Sequence, residues 1–372
     1  MRQHEFSLGG KPVGASSRVF VIAEIGINHD GSVEQGLKLI DAAADCGADA
    51  VKFQTFRAER LMLPGPDRLH QQGERGESAY QMFRRLELSW DDHWILKSRA
   101  DSRGVLFLST PFDEQSADFL EDLGVPAFKI ASSDLTHLPL LRHLGRKGKP
   151  LLLSTGMSYM NEVEEAVCAL KSCGARDLAL LHCVSSYPAP PESLNLRTIQ
   201  TLRERFNLPV GFSDHSQGTL FALVAAAMGA RVLEKHFTLD RSAPGPDHKL
   251  SIEPRELREL VAQLAIVDAS LGDGCKRPAK EEEQSRLLCR RSVVAAVDIR
   301  MHETIRPWML DCKRPAGGID PREIDQVTGT QACRNIAKDT ILSWDDLLPS
   351  RRVGVEKAEE EIASTESCRP GR

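Results

Sequence analysis

The sequence has no apolar run long enough to span a bilayer, and its first residues, MRQHEFSLGGKPVG, contain no apolar signal core. It has nine cysteines, but the number is odd and no two of them form a CxxC pair. Neither a disulfide framework nor a zinc knuckle is therefore indicated. Reduced thiols in a cytoplasm fit this pattern best, so we expect a cytoplasmic protein without membrane segments.

An excess of positive charge is also missing. The formal net charge is -5, which gives no sign of general nucleic-acid binding. It leaves room for an anionic substrate, because a local cluster of lysines can act inside an acidic protein. With 372 residues, 41% of them hydrophobic and 27% charged, the chain is long enough for one large domain and a small one.

What the sequence does contain is a regular alternation of short apolar runs with amphipathic runs. We predict strands at residues 19–25, 50–53, 105–108, 127–131, 151–153, 178–181, 210–212 and 232–233. Helices are predicted at residues 33–46, 90–103, 114–123, 138–144, 162–171, 196–206, 218–228 and 254–271. Such alternation implies a parallel sheet with right-handed crossovers, and eight units are the size of a closed (β/α)8 TIM barrel. An open doubly wound sheet is the main alternative, but no GxGxxG follows the first strand.

The character of the chain changes after the eighth unit, so we take residues 1–271 as the catalytic barrel domain. Residues 272–290 are charged and contain two glycines and a proline, which is typical of a linker. Residues 291–350 indicate a small separate module of short strands and turns. Residues 351–372 are charged and poor in large apolar side chains, so we expect a disordered tail.

Every predicted strand ends in polar or ionisable side chains. Because the carboxyl ends of the strands form the active site in a barrel of this type, these side chains are expected to surround one mouth. The eighth strand ends in Glu234, Lys235 and His236. Alternation along the strand points Lys235 away from its two neighbours, and we expect it to pair with an acid outside the mouth.

Two lysines lie within otherwise apolar strands, Lys52 in AVKF and Lys129 in AFKIA. The alternative for each is a surface side chain that snorkels to solvent, and the apolar setting counts against it. Lysine supplies a point charge to phosphate or carboxylate, and hydroxyl groups complete the contacts to the oxygens. The two lysines with Ser132, Ser154 and Ser213 therefore predict an anion site.

Two histidines, His215 and His236, follow the neighbouring seventh and eighth strands, so their imidazoles can meet at the mouth. Such a pair suits a divalent ion that also takes substrate oxygens and water, although each could instead be a hydrogen-bonded core residue or a general base. The acids available for proton transfer or for holding hydroxyl groups are Glu24, Glu234 and Asp247. Asp247 lies in the turn PGPDHK, where a solvated loop acid is the alternative.

Nine barrel motifs stand in order along the chain: IAEIGINHDG (22–31), VKFQ (51–54), STPFD (109–113), KIASSD (129–134), LSTGM (153–157), LHCVSSYPAPPE (181–192), GFSDHS (211–216), EKHFTLD (234–240) and GPDH (245–248). They resemble the motifs of the bacterial N-acetylneuraminate (sialic acid) synthase family. The small module, with KRPAGGI (313–319), resembles the SAF or antifreeze-like domain that follows the barrel in that family. The resemblance runs from about residue 19 to about residue 349.

The resemblance implies an enzyme that condenses phosphoenolpyruvate with an N-acetylmannosamine-type sugar to give a nonulosonic acid, N-acetylneuraminate (sialic acid), and phosphate. The residues that it assigns to phosphoenolpyruvate are Lys52, Thr110, Lys129, Ser132, Ser154, Ser185 and Ser213. The residues that it assigns to the sugar are Glu24, Gln54, Tyr187, Glu234 and Asp247. It assigns His215 and His236 to Mn²⁺ or Mg²⁺. It assigns Arg314 to the N-acyl group of a sugar bound by a partner subunit, which implies a domain-swapped homodimer.

In the implied reaction, C3 of phosphoenolpyruvate attacks the sugar aldehyde, which the metal polarises. Water then captures C2, and the tetrahedral hemiketal phosphate expels phosphate by C–O cleavage, while lysines and metal stabilise the anions. Glu24 is the candidate for managing the proton of the water. One position departs from the family pattern, because family members often carry asparagine where this chain has Ser185. Its shorter hydroxyl would hold the phosphate only in a shifted pose or through a water molecule.

The motifs leave the sugar open. N-acetylmannosamine, its 6-phosphate and the 2,4-diacetamido-6-deoxy precursor of legionaminic acid share this reaction, and spore-coat polysaccharide synthases belong to the same family. Two other classes remain alternatives. A metal-dependent sugar isomerase or hydrolase would need the histidines and the acids but has no use for two strand-borne lysines. A non-enzymatic carbohydrate- or ice-binding role would rest on the small module alone.

Overall fold

The structure is a computed structural model and describes residues 4–64 and 77–348. The chain divides into two compact units, Met1–Gly272 and Asp273–Arg372. In the part of the chain that is described, no helix is both long and apolar enough to cross a membrane. The predicted disordered tail, residues 351–372, lies outside the described residues.

The first unit is built on eight parallel strands, which we number β1 to β8. They are Phe20–Gly26, Ala50–Thr55, Leu106–Pro111, Phe128–Ile130, Leu151–Ser154, Leu178–Cys183, Val210–Asp214 and Val232–His236. Each strand is hydrogen-bonded to the next, and β8 closes the ring by pairing with β1. The predicted TIM barrel is therefore confirmed, and the open doubly wound sheet is excluded.

Ten helices, α1 to α10, surround this barrel in the described residues. They are Val33–Asp45, Ala58–Leu61, Ala79–Leu86, Trp90–Ser102, Glu114–Asp122, Leu138–Gly145, Met160–Ser172, Thr198–Phe206, Leu220–Ala227 and Pro254–Leu271. Side-chain caps explain where several of them begin. Before α4, for example, Ser89 Oγ accepts a hydrogen bond from the Asp92 backbone N–H, and the Asp92 carboxylate accepts one from the Ser89 N–H.

Two of these helices, α2 and α3, lie in the polar stretch that follows β2, for which the sequence predicts no element. A capping box between Ser78 and Gln81 begins α3. Its buried side chains Met82 and Leu86 belong to an apolar cluster that also contains Ile27. Because Ile27 follows β1 directly, this cluster holds α3 beside the C-terminal end of the barrel.

Alternation along the strands separates two apolar cores. In β1, Val21 belongs to the core beneath the helices, whereas Phe20 and Ile22 belong to the core inside the barrel. A hairpin of Phe6–Leu8 paired with Lys11–Val13 adds its own buried side chains to the inner core. Its three-residue strands are too short to give a periodic signal, so the sequence does not predict it. The hairpin and the inner core fill the N-terminal end of the barrel.

The described part of the second unit contains two antiparallel strand pairs. β9 (Ser292–Ala295) pairs with β10 (Leu310–Lys313), and β11 (Gln331–Ala332) pairs with β12 (Leu347–Leu348). They share a core that includes Val293, Ile299, Ile305, Met309, Val327, Ile336 and Leu342. The strands are short, as the sequence indicates for this module.

The predicted linker, residues 272–290, contains regular structure. Helix α11 (Glu283–Cys289) lies within it, directly before β9, and every residue of the segment is exposed. A further short helix, α12 (Ile324–Val327), lies between the two strand pairs of the module. The predicted linker, residues 272–290, is therefore an exposed connection that contains a helix. The domain boundaries stay predictions.

Candidate active site

A cavity of about 560 Å³ opens at the C-terminal ends of the barrel strands. Its volume is typical of a site for a small molecule. It is lined by all the site residues predicted in the first unit, namely Glu24, Lys52, Gln54, Thr110, Lys129, Ser132, Ser154, Ser185, Tyr187, Ser213, His215, Glu234, His236 and Asp247. The structure thus brings these side chains together, while their individual roles stay predictions.

Strand alternation decides which side chains reach this cavity. At the end of β8, Glu234 and His236 line it, whereas Lys235 points to the opposite face of the strand. The Lys235 ammonium lies 2.9 Å from Asp214 Oδ2, and neither residue lines the cavity. The expectation that Lys235 pairs with an acid outside the mouth is therefore confirmed.

Two buried lysines and two buried glutamates lie close together in the cavity. Lys52 Nζ is 2.8 Å from Glu24 Oε2 and 3.7 Å from Glu234 Oε2. Lys129 Nζ is 3.9 Å from Glu234 Oε1 and donates a hydrogen bond of 2.5 Å to Ser154 Oγ. The charges of the four side chains balance when both acids are ionised. An anion that binds here would share the lysines with the glutamates.

The two glutamates differ in protonation. Burial raises the pKa of Glu24 to about 7, because the attraction of Lys52 offsets burial only in part and the carboxylate of Glu234 adds to the rise. Burial acts on Glu234 as well, but Lys129 and Lys52 hold the pKa of Glu234 below its ordinary value. Glu234 is therefore ionised at neutral pH, whereas Glu24 can take up or release a proton there.

Hydroxyl groups and a thiol crowd around Gly156, in the turn after β5. A Cβ atom at this position would lie 2.5 Å from Ser185 Oγ, 2.9 Å from Ser132 Oγ and 3.1 Å from Cys183 Sγ. The absence of a side chain leaves room for these groups, and the Gly156 N–H donates to Ser132 Oγ at 2.9 Å. Cys183 was not among the predicted site residues, although its inward position at the end of β6 is the signal that could have found it.

The two histidines lie side by side, with their ring centroids 5.4 Å apart. His215 Nδ1 lies 2.8 Å from the carbonyl oxygen of Val184, so this nitrogen is the N–H donor and Nε2 carries the lone pair in the neutral ring. Burial acts in the same direction on both rings, but the contacts of His215 with Cys183 and Val184 outweigh burial and raise the pKa of His215. Burial holds the pKa of His236 well below its ordinary value, so that ring is neutral. The buried Nδ1 of His236 has no hydrogen-bond partner among the described residues.

The His236 ring fits a divalent metal ion, because a neutral imidazole is the form that binds metals and a buried nitrogen without a partner is costly. A bound cation would also favour the neutral form of His215. The described residues contain no group of three or more His, Cys, Asp or Glu side chains arranged to hold a metal. A metal at His215 and His236 would therefore need additional ligands from water or substrate.

Asp247 approaches the histidines from the loop after β8. Its Oδ2 atom lies 3.5 Å from His236 Nδ1, and burial raises the pKa of Asp247 to about 6. The next residue, His248, is fully buried and anchors the loop through a 2.7 Å hydrogen bond between Nδ1 and Thr238 Oγ1. Asp247 is thus held at the cavity rather than extended into solvent.

Apolar side chains line much of the remaining cavity wall. They are Ile27, Met82, Phe83, Phe112, Met157 and Pro246. The sequence does not single them out, because the strand-end argument selects polar side chains, and Met82 and Phe83 lie on α3, away from any strand end. Among the described residues that line the cavity, the lysine and arginine side chains are Lys52 and Lys129 alone.

Arg314, the remaining predicted site residue, belongs to the second unit. It is exposed and follows β10 directly. Its assignment to the sugar stays a prediction.

The barrel and its cavity define an α/β-barrel enzyme with its chemistry at the C-terminal mouth. The NeuB family model matches residues 39–276, and the SAF domain model matches residues 290–348. N,N'-diacetyllegionaminic acid synthase from Legionella pneumophila is 42% identical over 346 residues, which cover 91% of this chain and 97% of that protein. Spore coat polysaccharide biosynthesis protein SpsE from Bacillus subtilis is 37% identical over 364 residues, covering 92% and 97%.

A solved structure agrees with these relatives. The N-acetylneuraminic acid (sialic acid) synthetase from Leptospira borgpetersenii, in complex with citrate, matches with a TM-score of 0.69 and 36% identity, covering 76% of this chain and 95% of that one. The chain therefore belongs to the NeuB family and carries a C-terminal SAF domain. It is a sugar acid synthase, so the predicted enzyme class is confirmed. Enzymes of this family depend on a metal ion.

Proposed function

We propose that this enzyme condenses phosphoenolpyruvate with an uncharged N-acetylated amino sugar of the 2,4-diacetamido-6-deoxy type, to give a legionaminic acid and phosphate. One observation carries the proposal: the cavity combines two buried lysines with an apolar section of its wall. The lysines suit one anionic substrate, and the wall suits a second substrate without charge. Because phosphoenolpyruvate is an intracellular metabolite, we also propose a cytoplasmic location.

Phosphoenolpyruvate is assigned to the lysines, since a buried ammonium group gains most from an anionic partner. Lys52 also donates to Thr110 Oγ1 at 3.0 Å, and Ser213 Oγ donates to Glu234 Oε1 at 3.0 Å. Both hydroxyl groups can therefore exchange a present partner for a substrate oxygen. The hydroxyl groups around Gly156, those of Ser132 and Ser185, would complete the contacts to phosphate.

Carbon–carbon bond formation joins C3 of phosphoenolpyruvate to C1 of the sugar aldehyde. His215 and His236 would hold a divalent metal ion, which would supply Lewis acidity at the sugar carbonyl. Glu24, with its raised pKa, is suited to accept the proton of the water that adds to C2. The resulting hemiketal phosphate loses phosphate by C–O cleavage, and Lys52 and Lys129 stabilise the departing dianion.

The apolar part of the wall favours a sugar that carries methyl groups rather than a second phosphate. Phe83, Phe112 and Met157 offer surface to the acetamido methyl groups and to the C6 methyl group of a 6-deoxy sugar. A sugar 6-phosphate would find no lysine or arginine besides Lys52 and Lys129 among the described lining residues. The relatives support this choice, because two N,N'-diacetyllegionaminic acid synthases are 42% and 41% identical to this chain, against 34% for human N-acetylneuraminate-9-phosphate synthase.

N-acetylmannosamine is the second candidate sugar, and the Leptospira sialic acid synthetase supports it. A panel of the three sugars with phosphoenolpyruvate distinguishes them by sugar-dependent phosphate release. We expect the highest kcat/KM with the 2,4-diacetamido-6-deoxy sugar, a lower value with N-acetylmannosamine and the lowest with its 6-phosphate. Preference for the 6-phosphate would contradict the apolar-wall argument. Turnover of a sugar without phosphoenolpyruvate would instead indicate the isomerase or hydrolase alternative.

Arg314 is proposed to contact the sugar N-acyl group in the site of a partner subunit, within a domain-swapped homodimer. Arg314→Ala is expected to raise the KM of the sugar about 10- to 100-fold, since a hydrogen bond from a charged donor contributes about 1.5–3 kcal/mol. The KM of phosphoenolpyruvate should not change. Arg322→Ala is the matched control, because Arg322 is another exposed arginine of the same module and pairs with Asp320. Full activity in a chain that ends at Gly272 would contradict the assignment.

A further inference from the structure

A buried ion pair lies on the face of β7 and β8 that points away from the cavity, directly behind the two histidines. Lys235 Nζ is 2.9 Å from Asp214 Oδ2, and each side chain is only 1% exposed. Neither side chain touches the cavity, and the proposed reaction uses neither.

Ser216 extends this pair into a three-residue network. Asp214 Oδ1 accepts hydrogen bonds from the Ser216 backbone N–H at 2.8 Å and from Ser216 Oγ at 2.6 Å. The Lys235 ammonium also donates to the backbone carbonyl of Ser216. Because Asp214 and Ser216 are the residues on either side of His215, one ammonium group holds the chain both before and after that histidine.

The strand register places the same ammonium group beside the second histidine. Lys235 stands opposite Asp214 in the β8–β7 ladder, and Glu234 stands opposite Ser213. His236 follows Lys235 as His215 follows Asp214, and both histidines point to the cavity face. The ion pair therefore ties the two backbones together one residue before each ring.

Stability alone is a poor explanation for such a pair. Two charges that are removed from water lose solvation, and a buried ion pair often contributes no more stability than apolar side chains of similar volume. What it does provide is a defined register, because Lys235 Nζ reaches Asp214 and Ser216 together in one arrangement of the two strands. Groups that hydrogen-bond to metal-ligating side chains orient them, and their loss typically weakens metal binding by about 10- to 100-fold. The Asp214–Lys235 pair bonds neither imidazole and would act on the two rings through the backbone.

We propose that Asp214, Ser216 and Lys235 form a clamp that fixes the spacing of His215 and His236 and so sets the metal affinity of the site. The clamp residues are positioning residues and touch neither substrate nor metal. This inference rests on the proposed role of the two histidines as metal ligands.

The test is the Mn²⁺ dissociation constant of the full-length protein without substrates, measured by calorimetry, with thermal unfolding recorded in parallel. Asp214→Asn combined with Lys235→Met removes both charges with little change in volume. We expect the dissociation constant to rise about 10-fold or more. Arg231→Met is the matched control, since it removes an ion pair of 2.9 Å with Asp268 at the other end of β8 and should leave Mn²⁺ affinity unchanged.

A folded double variant that binds Mn²⁺ within twofold of the unsubstituted protein overturns the clamp. If that variant does not fold, Ser216→Ala serves as the test, because it removes one hydroxyl group and buries no new charge. An unchanged Mn²⁺ affinity of Ser216→Ala overturns the clamp as well. His236→Ala distinguishes failure of the metal role of the histidines from failure of the clamp. Retained Mn²⁺ binding in His236→Ala refutes the metal role itself, whereas loss of binding there with normal binding in the double variant refutes the clamp alone.

Discussion

His236→Ala is expected to lower kcat by about a thousandfold and to leave a residual rate that no longer responds to Mn²⁺ or to chelator. Metal polarisation of a carbonyl contributes several kcal/mol to the transition state, and about 4 kcal/mol corresponds to about a thousandfold in rate. His236 is 6% exposed, and its Nδ1 has no hydrogen-bond partner among the described residues, although Asp247 Oδ2 lies 3.5 Å away. The measurement is kcat over a range of Mn²⁺ concentrations after treatment with chelator.

His182→Ala is the matched control for this substitution. His182 is another buried histidine on a barrel strand, but its Nε2 donates to the Leu194 carbonyl at 2.7 Å and it does not line the cavity. The control should lose stability and keep its response to Mn²⁺. Ordinary turnover of His236→Ala in the presence of chelator would remove the metal from the proposal.

Lys129→Met is expected to raise the KM of phosphoenolpyruvate about 10- to 100-fold and to leave the KM of the sugar nearly unchanged. Lys129 is 3% exposed, and methionine keeps most of its length and volume. The expected loss is that of a charge-assisted hydrogen bond to the substrate, about 1.5–3 kcal/mol. Initial rates over a range of both substrates separate the two KM values.

Lys149→Met provides the comparison for Lys129→Met. Lys149 stands just before β5 at the N-terminal end of the barrel, where its Nζ donates to the Val125 carbonyl at 2.6 Å. It should show an ordinary KM for both substrates. If the KM of phosphoenolpyruvate is equally ordinary in Lys129→Met, the assignment of the anion to the lysines is wrong.

The sequence was sufficient to predict the barrel and most residues of its cavity, because two simple periodicities determine them. Apolar runs of strand length mark the barrel, and the first polar side chains after each run mark the mouth. The ends of the strands are harder to predict, because a strand can continue beyond its apolar run. The apolar run of β8 stops at Leu233, whereas the strand continues to His236 through three charged or polar side chains that are all buried. Their partners come from neighbouring strands, which a local pattern does not contain.

Other features depend on contacts that are distant in sequence. The N-terminal hairpin is defined by the inner core on which it packs, and α3 by its apolar cluster with Ile27 and Phe56. The apolar wall of the cavity comes from such segments, so no strand-end rule could identify Phe83. For Lys235, strand alternation correctly predicts the face to which the side chain points. Only the fold shows that its ammonium group donates to Asp214 and to the Ser216 carbonyl.

The hairpin at the N-terminal end of the barrel affects the order in which substrates can bind. With Phe6, Leu8 and Val13 packed into the inner core, described residues fill the N-terminal end of the barrel, and the cavity opens at the C-terminal ends of the strands. The substrate that binds deeper in the cavity must then bind first and dissociate last. If phosphoenolpyruvate occupies the lysines as proposed, it has to enter before the sugar covers it, and it cannot escape while the sugar remains. Bound phosphoenolpyruvate would therefore be converted to product once the sugar binds, rather than dissociate. Isotope trapping of bound phosphoenolpyruvate would reveal this binding order directly.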